Sequence, residues 1–268
     1  MFAFSASRFP RPTAVVAIAV LALVSACSTA ASQPPTIPPG ATGSVGPAAT
    51  AVPSAAPSFP ISLTDDDGTS VELAAKPAKI VSLTPATTEI LFRIGAGERV
   101  VGKVEDIANF PPEAAGVPVV GTFSGINVEK IVGLEPDLVI AGGNGGTPPD
   151  AIDQLRKLDV PVLAVYAKDV EGVFADIGLT GQAVGEADAA ADLVASMRAG
   201  FDQVEAATDS AATPRVFYET GDQPAVYGIA DDSVYEEMIR LAGGDPVTTG
   251  SATNWRCPPR SSSTRIRS

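Results

Sequence analysis

Lys79-Ile80-Val81-Ser82-Leu83-Thr84-Pro85-Ala86-Thr87-Thr88-Glu89-Ile90-Leu91 decides how this chain folds. Its opening is a short apolar run, the mark of a strand buried on both faces. Thr84-Pro85 reads as a helix start. The threonine hydroxyl can accept a free backbone N–H, and the fixed φ of proline suits the first helical turn. The helix runs to about Ile94, where Gly95 and Gly97 stop it. A buried strand passing straight into a helix is the first half of a βαβ unit, so a parallel sheet is expected.

The alternation continues outward from there. Residues 99–102, 117–120, 137–141 and 162–165 read as strands, and residues 128–134 and 149–158 as helices. The strand at 137–141 ends in Gly142-Gly143-Asn144-Gly145-Gly146. Upstream, Thr64-Asp65-Asp66-Asp67-Gly68-Thr69 reads as the solvated acidic turn of a β-hairpin, and its spacing lacks the rest of an EF-hand loop. Downstream, residues 170–207 read as one long helical stretch. Its apolar stripe is Val173, Ile177, Val184, Leu193, Val194, Met197, Phe201 and Val204, with Gly181 and Gly185 as points of bending. Strand signals resume at 216–218 and 225–227. A helix is expected over 231–241, with Asp231 or Asp232 as N-cap. Two α/β lobes joined by one long helix is the simplest architecture.

Composition narrows the function. The chain has 268 residues, a net charge of −13 and no histidine. The acidity argues against a nucleic-acid partner. Without histidine there is no His metal site, Ser-His-Asp triad or His haem ligand. Cys27 and Cys257 are the only cysteines, so no thiolate cluster is possible. Arg8 and Arg11, the apolar run 14–24 and then Ser25-Ala26-Cys27 resemble a bacterial lipobox. That resemblance implies acylation of Cys27 and a protein tethered to the membrane outside the cytoplasm, since several acyl chains make a stable anchor. Residues 28–60 are rich in Ala, Pro, Ser and Thr, carry no charge and read as a disordered linker.

Ile80 to Leu91, then Gly95-Ala96-Gly97 and Val101-Gly102, resemble the opening of the cobalamin- and ferric-siderophore-binding proteins of ABC importers, the class III periplasmic binding proteins. Phe110-Pro111-Pro112-Glu113-Ala114 continues the likeness in order. So do Asn127-Val128-Glu129-Lys130-Ile131-Val132-Gly133-Leu134-Glu135-Pro136-Asp137-Leu138-Val139-Ile140 and Ala242-Gly243-Gly244. The resemblance spans about 61–255. It implies a signal peptide (1–27), the linker (28–60), an N-terminal α/β lobe (61–168), a bridging helix (169–208) and the start of a C-terminal α/β lobe (209–255). The C-terminal lobe is expected to be incomplete.

It also implies a monomeric binding protein with neither enzyme activity nor a cofactor. Its partners would be a corrinoid or ferric siderophore, held between the lobes, and the permease subunits of the importer. Thr84, Pro85, Phe123, Ser124, Gly143 and Asn144 are the expected ligand contacts of the first lobe, and Tyr218, Tyr227 and Trp255 those of the second. Such loops leave the carboxyl ends of parallel strands, where α/β sheets bind ligands. Glu89 is the expected permease-docking acid of the first lobe, with Glu236 or Glu237 in the second. Phe110-Pro111-Pro112 and residues 123–127 look closer to the cobalamin branch. Arg93, Lys103, Lys168 and Arg215 are too scattered to balance a strongly anionic siderophore. The competing classes are a ligand sensor for a signalling partner and an extracytoplasmic α/β enzyme.

Residues 256–268 are basic and show no apolar period. Written with GC-rich codons and read two bases later, they become Val-Pro-Pro-Glu-Lys-Leu-Ile-Asp-Ala-Asp-Pro-Glu, which parallels residues 128–137. A frameshift near Trp255, with an out-of-frame tail, is the expectation.

Overall fold

A computed structural model of the chain describes residues 58–256, apart from Phe123, Ser210 and Asn254. The expected signal peptide, Cys27, most of the linker, Phe123 and the tail from Cys257 therefore lie outside the described residues. All described residues belong to one compact unit, Val52–Ser268.

The first ordered element is a hairpin, β1 (Ile61–Thr64) antiparallel to β2 (Ser70–Leu73). The expected solvated turn is exposed at Asp66, Asp67 and Gly68 but not at Asp65. The Asp65 side chain is fully buried, accepting Thr69 N at 2.7 Å, Ala164 N at 3.2 Å and the Arg156 guanidinium at 2.7 Å. With three donors turned on it, one of them a guanidinium, a carboxylate can be buried because its lone pairs are met in this way.

The decisive stretch becomes β3 (Ile80–Ser82) and α1 (Pro85–Arg93). Ile80 and Val81 are wholly buried, each worth about 1.5–3 kcal/mol of apolar transfer. β4 (Val100–Val104), β5 (Val119–Thr122), β6 (Gly125–Ile126), α2 (Val128–Gly133), β7 (Leu138–Gly142), α3 (Pro149–Lys157) and β8 (Val162–Val165) follow. They make one six-stranded sheet in the order β6-β5-β4-β3-β7-β8, parallel except for β6 at the edge. One core layer packs Ile80, Leu138, Ile140 and Leu163 beneath α1 and the following helices. The other packs Val81, Val139, Val120 and Leu155 beneath α2 and α3.

The single helix expected over 169–208 is two: α4 (Val170–Val184) and α5 (Ala187–Thr208). Gly185 ends α4 in the left-handed region (φ 72°), a conformation that only glycine adopts cheaply. α5 then folds back against α4. Phe174 meets Phe201 edge-on, Arg198 pairs with Glu171, and a Cβ on Gly181 would stand 2.3 Å from that of Ala190. The 22-residue α5 is the long helix leading to the last elements.

Those elements are β9 (Arg215–Val216), β10 (Glu219–Gly221), β11 (Tyr227–Gly228), α6 (Val234–Leu241) and β12 (Asp245–Pro246). β9 pairs with β12 in parallel across α6, a second βαβ unit, and β10 pairs with β11 antiparallel. The expected strand 216–218 stops at Val216, so Tyr218 stands between strands. Ser233, not Asp231 or Asp232, caps α6, its hydroxyl accepting Glu236 N at 3.3 Å. Among the described residues, no helix is long and apolar enough to cross a membrane.

Candidate functional site

The strand order has one topological switch. From β3 the chain steps outward to β4 and β5, then returns to the other side of β3 as β7 and β8. At such a point neighbouring loops diverge and leave a crevice at the carboxyl ends of the strands. Here the diverging loops are Leu83–Pro85 after β3 and Gly142–Pro148 after β7.

Their geometry is built from inside. Leu83 N donates to Ile140 O at 2.8 Å, carrying the β3–β7 pairing to the rim. Thr84 is extended (φ −140°), and its Oγ1 accepts Thr87 N at 3.1 Å, which starts α1. Beneath it Ser82, Thr87 and Thr88 satisfy one another's buried hydroxyls, at 2.6 and 2.8 Å. The wholly buried Thr147 ties the two loops together. Its hydroxyl accepts Gly142 N at 3.0 Å and donates to Leu83 O at 3.4 Å. A Cβ on Gly142 would come 2.7 Å from the Thr84 methyl and 3.3 Å from Gly146 Cα, so a side chain there would push the loops apart.

The resulting crevice encloses about 290 Å³. Thr84, Pro85, Thr122, Gly145 and Gly146 line its walls, with Glu105 at the end of β4. A shallower groove of about 460 Å³ adjoins it through Thr122, Gly125 and Ile126 and takes in Ser124, Asn127 and Gln154. Of the expected residues, Thr84 and Pro85 line the crevice and Ser124 lines the adjoining groove. Gly143 is buried, donating to Val165 O at 3.0 Å, and it packs against Tyr166 rather than facing the crevice. Asn144 is exposed with φ 48°.

The aromatic residues after α5 divide into two groups. Tyr218 stacks on Tyr235 (centroids 5.6 Å apart, planes 20°), and Tyr235 meets Trp255 edge-on (6.1 Å, 84°). Tyr227 lies under the Arg256 guanidinium at 5.8 Å. Tyr218, Tyr235 and Trp255 are all exposed, at 48, 44 and 39%. Tyr235 was not among the expected residues. The signal was present in Ser233-Val234-Tyr235-Glu236, a capping box that puts Tyr235 on the first turn of α6.

The expected docking acids differ in availability. Glu89 is half-buried on α1, its side chain 42% accessible, and lies 3.6 Å from Arg93, whose guanidinium also covers the Phe110 ring. Glu236 is mostly covered, pairing with Arg240 at 2.6 Å and accepting Asp232 N. Glu237 accepts Val170 N at 2.7 Å and so holds α6 to the start of α4. Among the candidate counter-charges, Arg93 and Arg215 have acidic partners and Lys103 is buried.

Three carboxyl groups depart from ordinary behaviour, Glu171 being held below the usual range by its hydrogen bond from Arg198. Backbone N–H bonds from Phe110 and Ala108 hold Asp106 below the usual carboxylate range. Burial, together with the neighbouring Asp66 carboxylate, pushes Asp176 up to about 8. Among the described residues, no group of three or more His, Cys, Asp or Glu could hold a metal ion.

Residues 80–265 match the family described as Periplasmic binding protein. The chain is 33% identical over 188 residues to YvrC, an uncharacterised ABC transporter substrate-binding lipoprotein of Bacillus subtilis, covering 68% of this chain and 59% of that protein. It is 27% identical over 177 residues to a vitamin B12-binding protein of Yersinia pestis, covering 66% and 62%. The matched region thus spans about three fifths of the length of these relatives. Among solved structures, the periplasmic vitamin B12 binding protein BtuF of Vibrio cholerae superposes with a TM-score of 0.59 at 26% identity, covering 69% of this chain and 71% of that one. The apo periplasmic heme-binding protein RhuT of Roseiflexus gives 0.57 at 28%, covering 68% and 70%.

Proposed function

The chain belongs to the periplasmic binding protein family, and on that premise we propose that it is the extracytoplasmic substrate-binding component of an ABC importer. It captures a corrinoid or a ferric siderophore and hands it to the permease without chemistry. The observation that carries this reading is the switch-point crevice at Thr84 and Gly142–Gly146. The crevice is lined by the apolar Leu83, Val104, Ile126 and Pro148 together with glycine backbone and the hydroxyls of Thr84 and Thr122.

In this reading residues 61–168 form the N-terminal lobe, 169–208 the helical bridge and 209–255 the beginning of the opposing lobe. Tyr218, Tyr227 and Trp255 face the ligand from that second side. The corrinoid is favoured over an anionic siderophore because Arg93 and Arg215 are already neutralised and Lys103 is buried, which leaves only the exposed Lys168 of these four to meet a polyanion. Glu89 is the accessible acid for docking on permease arginines, while Glu236 and Glu237 are engaged within the chain. Cys27 carries the lipid that keeps the protein at the membrane.

Equilibrium titration of the full chain with cyanocobalamin and, separately, with ferrichrome tests the proposal. Saturable one-to-one binding of cyanocobalamin supports it. Binding of ferrichrome alone moves the ligand to the siderophore class. Binding of neither removes the reading.

A further inference from the structure

A hydrogen bond ties α6, the helix that carries Tyr235 of the aromatic cluster, to the segment following β8. Glu237 holds α6 to Val170, on the segment that leaves the carboxyl end of β8. Val165, the last residue of β8, in turn receives Gly143 N from the loop beside the crevice. The first turn of α6 is therefore anchored at the crevice end of the sheet, and Tyr235 stands on that turn.

Three features set Tyr235 apart. It is in ring contact with both Tyr218 and Trp255. It also sits on a regular helix whose start is held by two bonds, Ser233 accepting Glu236 N and Glu236 reaching back to accept Asp232 N. Tyr218 lies between two short strands, and Trp255 lies outside any helix or strand, on a segment tied to β11 and its neighbours by backbone bonds such as Gly228 N to Trp255 O at 2.9 Å. Finally, all three rings keep more than a third of their surface in solvent, so core packing does not account for them.

We propose that Tyr235 is a positioning residue: its fixed ring holds Tyr218 and Trp255 in place as a rigid platform for the flat conjugated face of the ligand. This rests on the ligand-capture reading above and adds to it the residue that orders the second side of the site. Rigid aromatic platforms gain affinity because little side-chain freedom is lost on binding.

Trp255 is the only tryptophan of the chain, so its emission reports on the platform without any ligand. The experiment compares wild type, Tyr235→Ala and Tyr235→Phe in the full chain. It reads Trp emission maximum and anisotropy, and affinity for cyanocobalamin and for haemin. Tyr235→Ala is expected to lower Trp anisotropy, shift emission to the red and weaken the bound probe about tenfold, the scale of two lost aromatic contacts. Tyr235→Phe is expected to restore all three. Unchanged emission together with an affinity within about twofold of wild type in Tyr235→Ala would overturn the proposal. So would a Tyr235→Phe variant as impaired as Tyr235→Ala. Failure of wild type to bind either probe would overturn the platform role, and failure with ferrichrome as well would overturn ligand capture, while the emission would still show whether Tyr235 holds Trp255.

Discussion

The Glu237 carboxylate accepts the backbone N–H of Val170 at 2.7 Å, joining α6 to the first residue of α4. A carboxylate at a helix start meets both an unpaired N–H and the positive end of the helix dipole. This bond links residues far apart in sequence and sets where the last elements of the chain sit. Glu237→Ala is expected to lower stability by about 1.5–3 kcal/mol, the usual worth of a hydrogen bond to a charged group. Glu237→Gln, which keeps an acceptor, is expected to lose less. Urea unfolding of the two variants checks this.

Asp65 offers a larger effect. Its side chain is fully buried and ties the β1–β2 turn to Arg156 of α3 and to Ala164 of β8. Arg156 Nε already lacks a partner, so Asp65→Ala leaves a half-buried guanidinium with little compensation. Breaking a buried pair from one side costs about 3–5 kcal/mol, and chemical denaturation is expected to show a loss of that order.

Asp176 predicts a pH dependence. Its ordinary pKa of 3.8 is raised to about 8 in the folded chain, first by burial and then by Asp66. The folded state therefore holds this proton more tightly than the unfolded state. The resulting stability is complete below about pH 4, declines as pH rises toward 8 and is gone above it. The melting temperature should thus fall between pH 5 and pH 9, and Asp176→Asn should flatten that fall. A wild-type profile that rises over this range would contradict it.

Glu89 is tested by separating binding from delivery. Its pair with Arg93 is solvent-accessible at both ends, and such pairs contribute about 0–1 kcal/mol, so Glu89→Ala should fold normally. Ligand affinity is expected to stay within about twofold of wild type, while uptake by cells expressing the cognate permease falls strongly. Loss of affinity and uptake together would instead place Glu89 at the ligand.

The parallel strands of the first sheet were legible because each carries a local signal, a short apolar run bounded by a capping residue or a stopping glycine, whereas the two-residue edge strand β6 carries none. The crevice followed from the parallel strands, since Thr84 and the glycines 142–146 end neighbouring strands. What was not legible depended on distant partners. The Asp65 turn reads as solvent-facing until Arg156, 91 residues away in the chain, is seen beside it. Gly185 reads as a bend in one helix, yet its left-handed backbone ends α4 and turns the chain back. Tyr218 reads as the end of a strand, but β9 stops at Val216 and Tyr235 takes up its ring.

The most direct test of the account is hydrogen–deuterium exchange on the full chain, with saturating cyanocobalamin, ferrichrome and haemin in separate runs. The account predicts that at least one of them protects backbone amides on both sides of the site. These are residues 83–86 and 142–147 around Thr84 and Gly142, together with the segments carrying Tyr218 and Trp255. Protection confined to one side, protection elsewhere, or no protection with any of the three would contradict capture of the ligand in that crevice.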